Sequence, residues 1–187
     1  ARVSLRGKPL EWPNEAVKHR ERKLVGLIGG GVMFKDAFYI RQMWSFSRAL
    51  DLALVDEEVE RGLQISLGER HGERVAYIAM RLGRILGLNK ESLAHLTVAG
   101  LLHDIGALGY MGEYNGDQHI FERHCLTGAS IVERFPAGRI LAQAIKYHHE
   151  TPDPLYCALR APAEDVTLMA RILSLADRVD LRLKRRL

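Results

Sequence analysis

The sequence predicts an all-α protein, and three observations support this fold class. Apolar residues recur three and four positions apart through most of the chain, which is the period of an amphipathic helix. The sequence contains no strand-forming alternation of apolar and polar residues and no internal repeat. A chain of 187 residues with 47% hydrophobic content is large enough to bury one core. We therefore expect a helical bundle with an N-terminal helical extension.

The extension is predicted to cover residues 1–45 and to be helical in part. It divides at the run Gly29-Gly30-Gly31, which favours a turn, and an amphipathic helix is predicted from Ala37 to Leu54. Three large side chains of that helix are interpreted as packing residues: Met43, Trp44 and Phe46. The main domain is placed at 46–187. Because the chain starts at Ala1 and ends in a basic helix, we expect it to be a fragment, truncated at the C-terminus.

Five more helices follow in the main domain, and each carries polar residues on its apolar stripe. Glycine and proline mark several of their boundaries, with Gly87 after the first helix and Pro136 and Gly138 before the fourth. The predicted helices cover residues 71–86, 90–104, 121 onwards, 140–150 and 166 onwards.

Seven of these polar residues lie where the stripes predict the protein interior. They are His71, His103, Asp104, His124, His148, His149 and Asp177. A single His-Asp pair is explained equally well by a histidine bound to a backbone carbonyl and an aspartate that caps a helix. Seven buried groups without a shared partner would cost about 1–3 kcal/mol each. Imidazole and carboxylate are common ligands of transition metals, so the set favours a metal centre, in which two ions could share Asp104.

Composition and charge indicate in which cellular compartment the protein functions. The cysteines, Cys125 and Cys157, are isolated in sequence, which is typical of free thiols in a reducing compartment. The longest uncharged run, residues 24–34, is too short to span a bilayer, so we expect a cytoplasmic protein without a transmembrane segment. The net charge of +4 comes largely from the chain ends, which are interpreted as solvated tails rather than a nucleic-acid surface.

The ordered set of histidines and aspartates resembles the HD-domain phosphohydrolases. It resembles in particular the HD-GYP branch, which hydrolyses the second messenger cyclic di-GMP. The resemblance covers about residues 46–180 and rests on four phrases: HGERVAYIAMRLGRILGL (71–88), LLHDIG (101–106), IKYHHE (145–150) and ARILSLADRVD (170–180). The doubled histidine and its spacing to ADRVD are typical of that branch, whereas a bare HD pair is not.

The resemblance implies a helical HD domain that binds two divalent transition-metal ions, with iron or manganese favoured over zinc or nickel. One ion would be bound by His71, His103, Asp104 and Asp177, and the other by His124, His148, His149 and Asp104. The catalytic role falls to Asp104, which would bridge the ions and orient a metal-bound hydroxide for in-line attack on phosphorus. A cyclic dinucleotide or another nucleotide is the expected substrate. A separate signalling domain and a second copy in a homodimer are considered as partners.

Several positions depart from the HD-GYP pattern. Ala107 stands where the branch usually has a lysine, residues 153–158 replace the GYP loop, and Leu67 stands where some members with three metals have a glutamate. Substrate contacts are unassigned, apart from His119 as a candidate at the site mouth. Two alternatives stay open: an HD enzyme acting on mononucleotides or guanosine tetraphosphate, and an inactive signalling module that binds a partner through residues 151–165.

Overall fold

The computed structural model describes residues 34–60, 70–109, 119–150 and 167–184. Within these ranges every regular element is helical, which confirms the predicted all-α class. None of these helices is both long and apolar enough to cross a lipid bilayer. The elements are α1 (Phe34–Glu60), α2 (His71–Ile85), α3 (Lys90–Leu102), one 3-10 turn (Ile105–Ala107), α4 (His119–Val132), α5 (Gly138–Lys146) and α6 (Leu168–Lys184).

Helix α3 lies at the centre of the bundle. It contacts α1, α2, α5 and α6, and eight of its thirteen residues are buried, as expected for a helix that is apolar nearly all round. Asn89 caps its start, because the side chain accepts a hydrogen bond from the Ser92 backbone N–H at 2.8 Å. Gly100 lets α2 approach closely, since a Cβ there would lie 2.6 Å from the Ala76 Cα. The C-terminal end of α3 therefore points into the protein interior.

Helix α1 runs without interruption through residues 45 and 46, where the sequence placed the domain boundary. Its Ile40 and Trp44 belong to the same buried core as α2 and α3. Phe46 is 44% exposed, so its predicted packing role is wrong, because it lies on the outer face of the helix. The glycine run at 29–31 lies outside the described residues.

Two helices end earlier than predicted. Helix α3 ends at Leu102, although the sequence predicted an end at Asp104. Helix α5 ends at Lys146, although the sequence predicted an end at Glu150. His103 keeps helical angles (φ −58°, ψ −34°), so the side-chain period continues into the turn although the helix has ended. The pair His103-Asp104 therefore lies in the turn that follows α3, and the pair His148-His149 lies in the turn that follows α5.

Helix α1 also caps the start of α2. Arg70 precedes α2 in a left-handed conformation and makes no side-chain cap. Instead, the carboxylate of Asp51 accepts a hydrogen bond from the Gly72 backbone N–H at 3.2 Å. Gly72 has little room for a side chain, since a Cβ there would lie 2.6 Å from the Ser47 Oγ. A contact between two helices thus fixes the position of His71.

Asp51→Asn is expected to stabilise the metal-free protein at pH 7. Burial raises the pKa of Asp51 from 3.8 to about 6, and its Oδ2 has no hydrogen-bond partner among the described residues. The pKa of Asp51 is higher in the folded state than in the unfolded state. The protonated Asp51 therefore contributes to stability near pH 4, and this contribution is lost as the pH rises through 6. A shift of about two units corresponds to roughly 1–3 kcal/mol at pH 7. Asparagine keeps the acceptor for Gly72 without the charge.

Urea unfolding of chelator-treated protein at pH 4 and pH 7 measures this effect. The stability gap between wild type and Asp51→Asn should open between the two pH values. Asp56→Asn, on the exposed side of α1, serves as the control and should change neither value. A gap of equal size at both pH values would contradict the prediction.

Candidate metal centre

The first of two ligand groups consists of His71, His103 and Asp177. His71 begins α2, His103 follows α3, and Asp177 lies on the inner face of α6. The Nε2 atom of His71 lies 3.2 Å from the Nε2 of His103 and 3.2 Å from the Oδ1 of Asp177. All three residues are buried, and each offers one ligand atom within 4.8 Å of the others.

The second ligand group consists of His124, His148 and His149. His124 projects from α4, and the two adjacent histidines lie in the turn after α5. The Nε2 of His124 lies 3.3 Å from the Nε2 of His148 and 3.1 Å from the Nε2 of His149. Helices α4 and α5 pack on each other, so their contact holds the three imidazoles together.

Asp104 lies between the two groups. Its Oδ2 is 3.5 Å from the His71 Nε2 and 3.3 Å from the His103 Nε2, both in the first group. Its Oδ1 is 3.7 Å from the His124 Nε2 in the second group. One carboxylate oxygen therefore faces each group, which is the geometry that a bridging ligand requires. The structure thus brings all seven sequence-predicted ligands into one cluster.

Hydrogen bonds to Nδ1 turn the Nε2 atoms towards the cluster. The Nδ1 of His103 donates to the Gly100 carbonyl at 2.9 Å, and that of His148 donates to the Ile145 carbonyl at 2.5 Å. The Nδ1 of His71 donates to the Oδ2 of Asp180 at 2.9 Å. Metal-binding histidines are usually fixed in this way, because a bond at one ring nitrogen leaves the lone pair of the other free for the metal.

Asp180 is a site residue that the sequence analysis missed. It is buried, and Arg74 binds both of its carboxylate oxygens, through Nε at 2.6 Å and Nη2 at 2.8 Å. Asp180 lies three residues after Asp177, and Arg74 lies three residues after His71, so the two pairs share helix faces. That spacing was the available signal for Asp180.

Asp180→Ala is expected to weaken metal binding by roughly 10 to 100-fold, because His71 loses the acceptor that orients its ring. Asp180→Asn keeps an oxygen acceptor at the same place and should weaken binding less. Competition with a chromophoric chelator measures the affinity, and circular dichroism verifies the fold. A folded Asp180→Ala variant with wild-type affinity would show that this contact does not orient a ligand.

Burial and neighbouring charges set the protonation of the cluster. Burial lowers the pKa of His148 to about 3, with nearby imidazoles adding to the effect, and it lowers the pKa of His149 well below its ordinary value. Burial also opposes the charged form of His71, but in the metal-free protein hydrogen bonds to Asp177 and Asp180 outweigh it and raise the pKa to about 10, so a metal ion would replace the proton on Nε2. Burial alone would raise the pKa of Asp104, but the surrounding imidazoles outweigh this effect and lower the pKa below its ordinary value. The cluster therefore pairs ionised carboxylates with imidazoles.

The spacing of these atoms fits divalent transition-metal ions. Bonds of about 2.0–2.1 Å at tetrahedral angles place neighbouring ligand atoms about 3.3 Å apart. The closest ligand atoms in the two groups are 3.1–3.3 Å apart, and all are imidazole nitrogens or carboxylate oxygens. The donor set therefore suits the metal centre that the sequence analysis expected.

The sequence analysis also named positions at which substrate contacts were considered or at which the chain departs from the HD-GYP pattern. His119 begins α4, but its side chain lies outside the described residues, as do Leu67 and the whole segment 151–166. Ala107 lies in the 3-10 turn, is only 6% exposed and belongs to the buried hydrophobic core.

Comparison with known proteins identifies the family. A family model for the HD domain matches residues 68–182, which is more than half of the chain. The chain is also 29% identical over 138 residues to the 3′3′-cGAMP-specific phosphodiesterase 1 of Vibrio cholerae serotype O1. That match covers 72% of this chain and 29% of the relative, and no solved structure matches. The chain therefore belongs to the HD-domain family, the family of metal-dependent phosphohydrolases that its motifs predicted.

Proposed function

We propose that this protein is a phosphodiesterase that uses two divalent metal ions to hydrolyse a cyclic dinucleotide. The observation that carries the proposal is the position of Asp104, with one carboxylate oxygen facing each ligand group. The family and the name of the Vibrio relative support the reaction type. The ligands are assigned as in the sequence analysis, with iron or manganese as the leading metals.

The protein residues would position the reacting groups. Bound ions supply a water of lowered pKa and neutralise charge on the phosphoryl oxygens. Asp104 would hold the two sites at a fixed separation, while Asp180 and the Gly100 and Ile145 carbonyls orient the imidazoles. The Asp104 side chain is 14% exposed and His149 is also partly exposed, whereas the other five ligands are buried. Substrate phosphate would therefore approach from the side on which Asp104 and His149 lie.

Cyclic di-GMP and 3′3′-cGAMP are the two leading substrates. The doubled histidine favours the HD-GYP branch and hence cyclic di-GMP, whereas the Vibrio relative is named for 3′3′-cGAMP. Ala107 replaces the lysine usual in that branch. Losing one charge-assisted phosphate contact costs about 1.5–3 kcal/mol, or roughly 10 to 150-fold, so we expect slow turnover.

The test combines metal analysis with a substrate panel. Protein purified without chelator should contain about two transition-metal ions per chain. It should cleave a cyclic dinucleotide when loaded with manganese, or anaerobically with ferrous iron, and a chelator should abolish this activity. The panel consists of cyclic di-GMP, 3′3′-cGAMP, pGpG, guanosine tetraphosphate and an aryl phosphodiester.

Two outcomes would overturn the proposal in favour of the alternatives. Cleavage of guanosine tetraphosphate without any cleavage of a cyclic dinucleotide would indicate the other class of HD enzyme. Metal-loaded wild type that is inert on every substrate would indicate a signalling module.

A further inference from the structure

Cys125 lies beside the second ligand group. It follows His124 in α4, and its side chain is fully buried. Its Sγ lies 3.9 Å from the Nε2 of His124 and 3.6 Å from the Nδ1 of His148. Cys125, His124, His148 and His149 each offer one ligand atom, and these four atoms lie within 4.8 Å of one another.

The spacing of the sulfur is close to that of a metal-bound thiolate. Bonds of about 2.3 Å to sulfur and 2.0–2.1 Å to nitrogen place the two atoms about 3.6 Å apart at a tetrahedral angle. The 3.9 Å between Sγ and the His124 Nε2 exceeds this by a few tenths of an ångström, which a small rotation of the Cys125 side chain within its rotamer well can supply. The closeness of the sulfur to the three imidazoles thus gives the second site one more candidate donor, in addition to the three histidines and Asp104.

The hydrogen bonds around the sulfur leave it free to face a bound cation. The Nδ1–H of His148 donates to the Ile145 carbonyl, so this nitrogen is not an acceptor for the thiol proton. Burial raises the pKa of the Cys125 thiol well above its ordinary value, and nearby carboxylates such as Asp104 add to this rise, whereas the backbone N–H of His149, which donates to the sulfur, acts in the opposite direction. Ionisation of the thiol therefore depends on the charge of a bound cation. Backbone N–H groups that point at sulfur are a common outer contact of metal-bound cysteines.

We propose that Cys125 is a thiolate ligand of the ion bound by His124, His148 and His149. The inference rests on the metal centre of the proposed function and deepens it. When the metal–sulfur bond forms, the S–H bond breaks and its proton passes to solvent. Only one of the two sites then has a soft donor, so the second site should favour zinc or ferrous iron over manganese more strongly than the first.

Cobalt(II) substitution tests the ligand directly. Wild-type protein loaded with cobalt should show visible d–d bands together with a near-ultraviolet sulfur-to-cobalt charge-transfer band. Cys125→Ser and Cys125→Ala should keep the d–d bands, because the histidines still bind cobalt, but should lose the charge-transfer band. Cys157→Ala removes the other cysteine of the chain and should keep both kinds of band.

Metal competition provides a second readout. Cys125→Ser should shift the zinc-to-manganese preference of one site towards manganese by roughly tenfold or more, because a hard oxygen replaces sulfur. The preference of the other site should not change.

Three results would overturn the proposal. The first is wild-type protein that binds two cobalt ions without a charge-transfer band, and the second is a band that survives Cys125→Ala. The third is wild-type protein that binds no cobalt, which would also remove the metal centre. Intact charge-transfer absorption without any phosphodiester hydrolysis would instead support the ligand and contradict the proposed function alone.

Discussion

Asp104→Ala is expected to lower the rate of phosphodiester hydrolysis by more than about 10³-fold, equivalent to roughly 4 kcal/mol of transition-state stabilisation. Its two oxygens are the connection between the ligand groups, with Oδ2 near His71 and His103 and Oδ1 near His124. Without them each group keeps its imidazoles, but nothing fixes the distance between two bound ions. Metal content should fall below two ions per chain as well.

Steady-state kinetics and elemental analysis of the same preparations check this expectation. Asp104→Asn keeps the shape but not the charge and should give an intermediate loss. Asp56→Ala removes an exposed carboxylate from α1 and should behave as wild type. If Asp104→Ala retains activity within twofold of wild type on the cleaved substrate, Asp104 does not have the catalytic role assigned to it.

Gly106→Ala is expected to unfold or distort the site, with a loss of at least about 1–3 kcal/mol in stability. Gly106 lies in the 3-10 turn directly after the His-Asp pair, and this turn packs on α4. An added Cβ would overlap the His124 carbonyl oxygen and would lie 2.9 Å from the Gly128 Cα. Because these atoms are backbone, they cannot rotate away, and the turn must move off α4. Such a shift separates Asp104 from His124.

Gly128→Ala is the matched comparison, because Gly128 lies on the other side of the same contact. Its Cβ would meet the Ile145 Cγ2 at 3.1 Å, a side-chain atom that can move. We therefore expect a smaller loss of stability and nearly normal metal content. Urea unfolding and metal analysis rank the two variants. A Gly128→Ala variant as damaged as Gly106→Ala would show that backbone overlap does not explain the requirement for glycine.

The seven clustered residues could be found from sequence because their signal is local. Each lies on, or just beyond, an apolar helical stripe, so periodicity alone places His71 or His124 in the interior. The turn at His103 was missed because the side-chain period does not change where helical backbone angles persist past the last helical hydrogen bond. The turn at His148 was missed although the backbone leaves helical angles at Tyr147 (φ −110°, ψ 15°), because no glycine or proline marks that position.

Contacts between distant helices could not be predicted in this way. Asp51 binds the backbone of Gly72 from another helix, and no residue pattern near Asp51 indicates that role. The spacing of Asp177 and Asp180 places Asp180 on the ligand-bearing face of α6, but its hydrogen bond to His71, 109 positions away in sequence, is visible only in the folded chain. Phe46 has the composition of a core residue, but its exposure depends on which face of α1 meets α2 and α3.

The ends of three helices give the centre an electrostatic field that does not depend on any ligand atom. Helices α3 and α5 end next to His103 and His148, so the negative ends of their backbone dipoles face the cluster and attract cations. Helix α2 begins at His71 and presents its positive end, which repels them. The buried carboxylate of Asp51 lies at that end and offsets its charge when ionised. Helix α1 thus favours cation binding at a distance, without contributing a single coordinating atom.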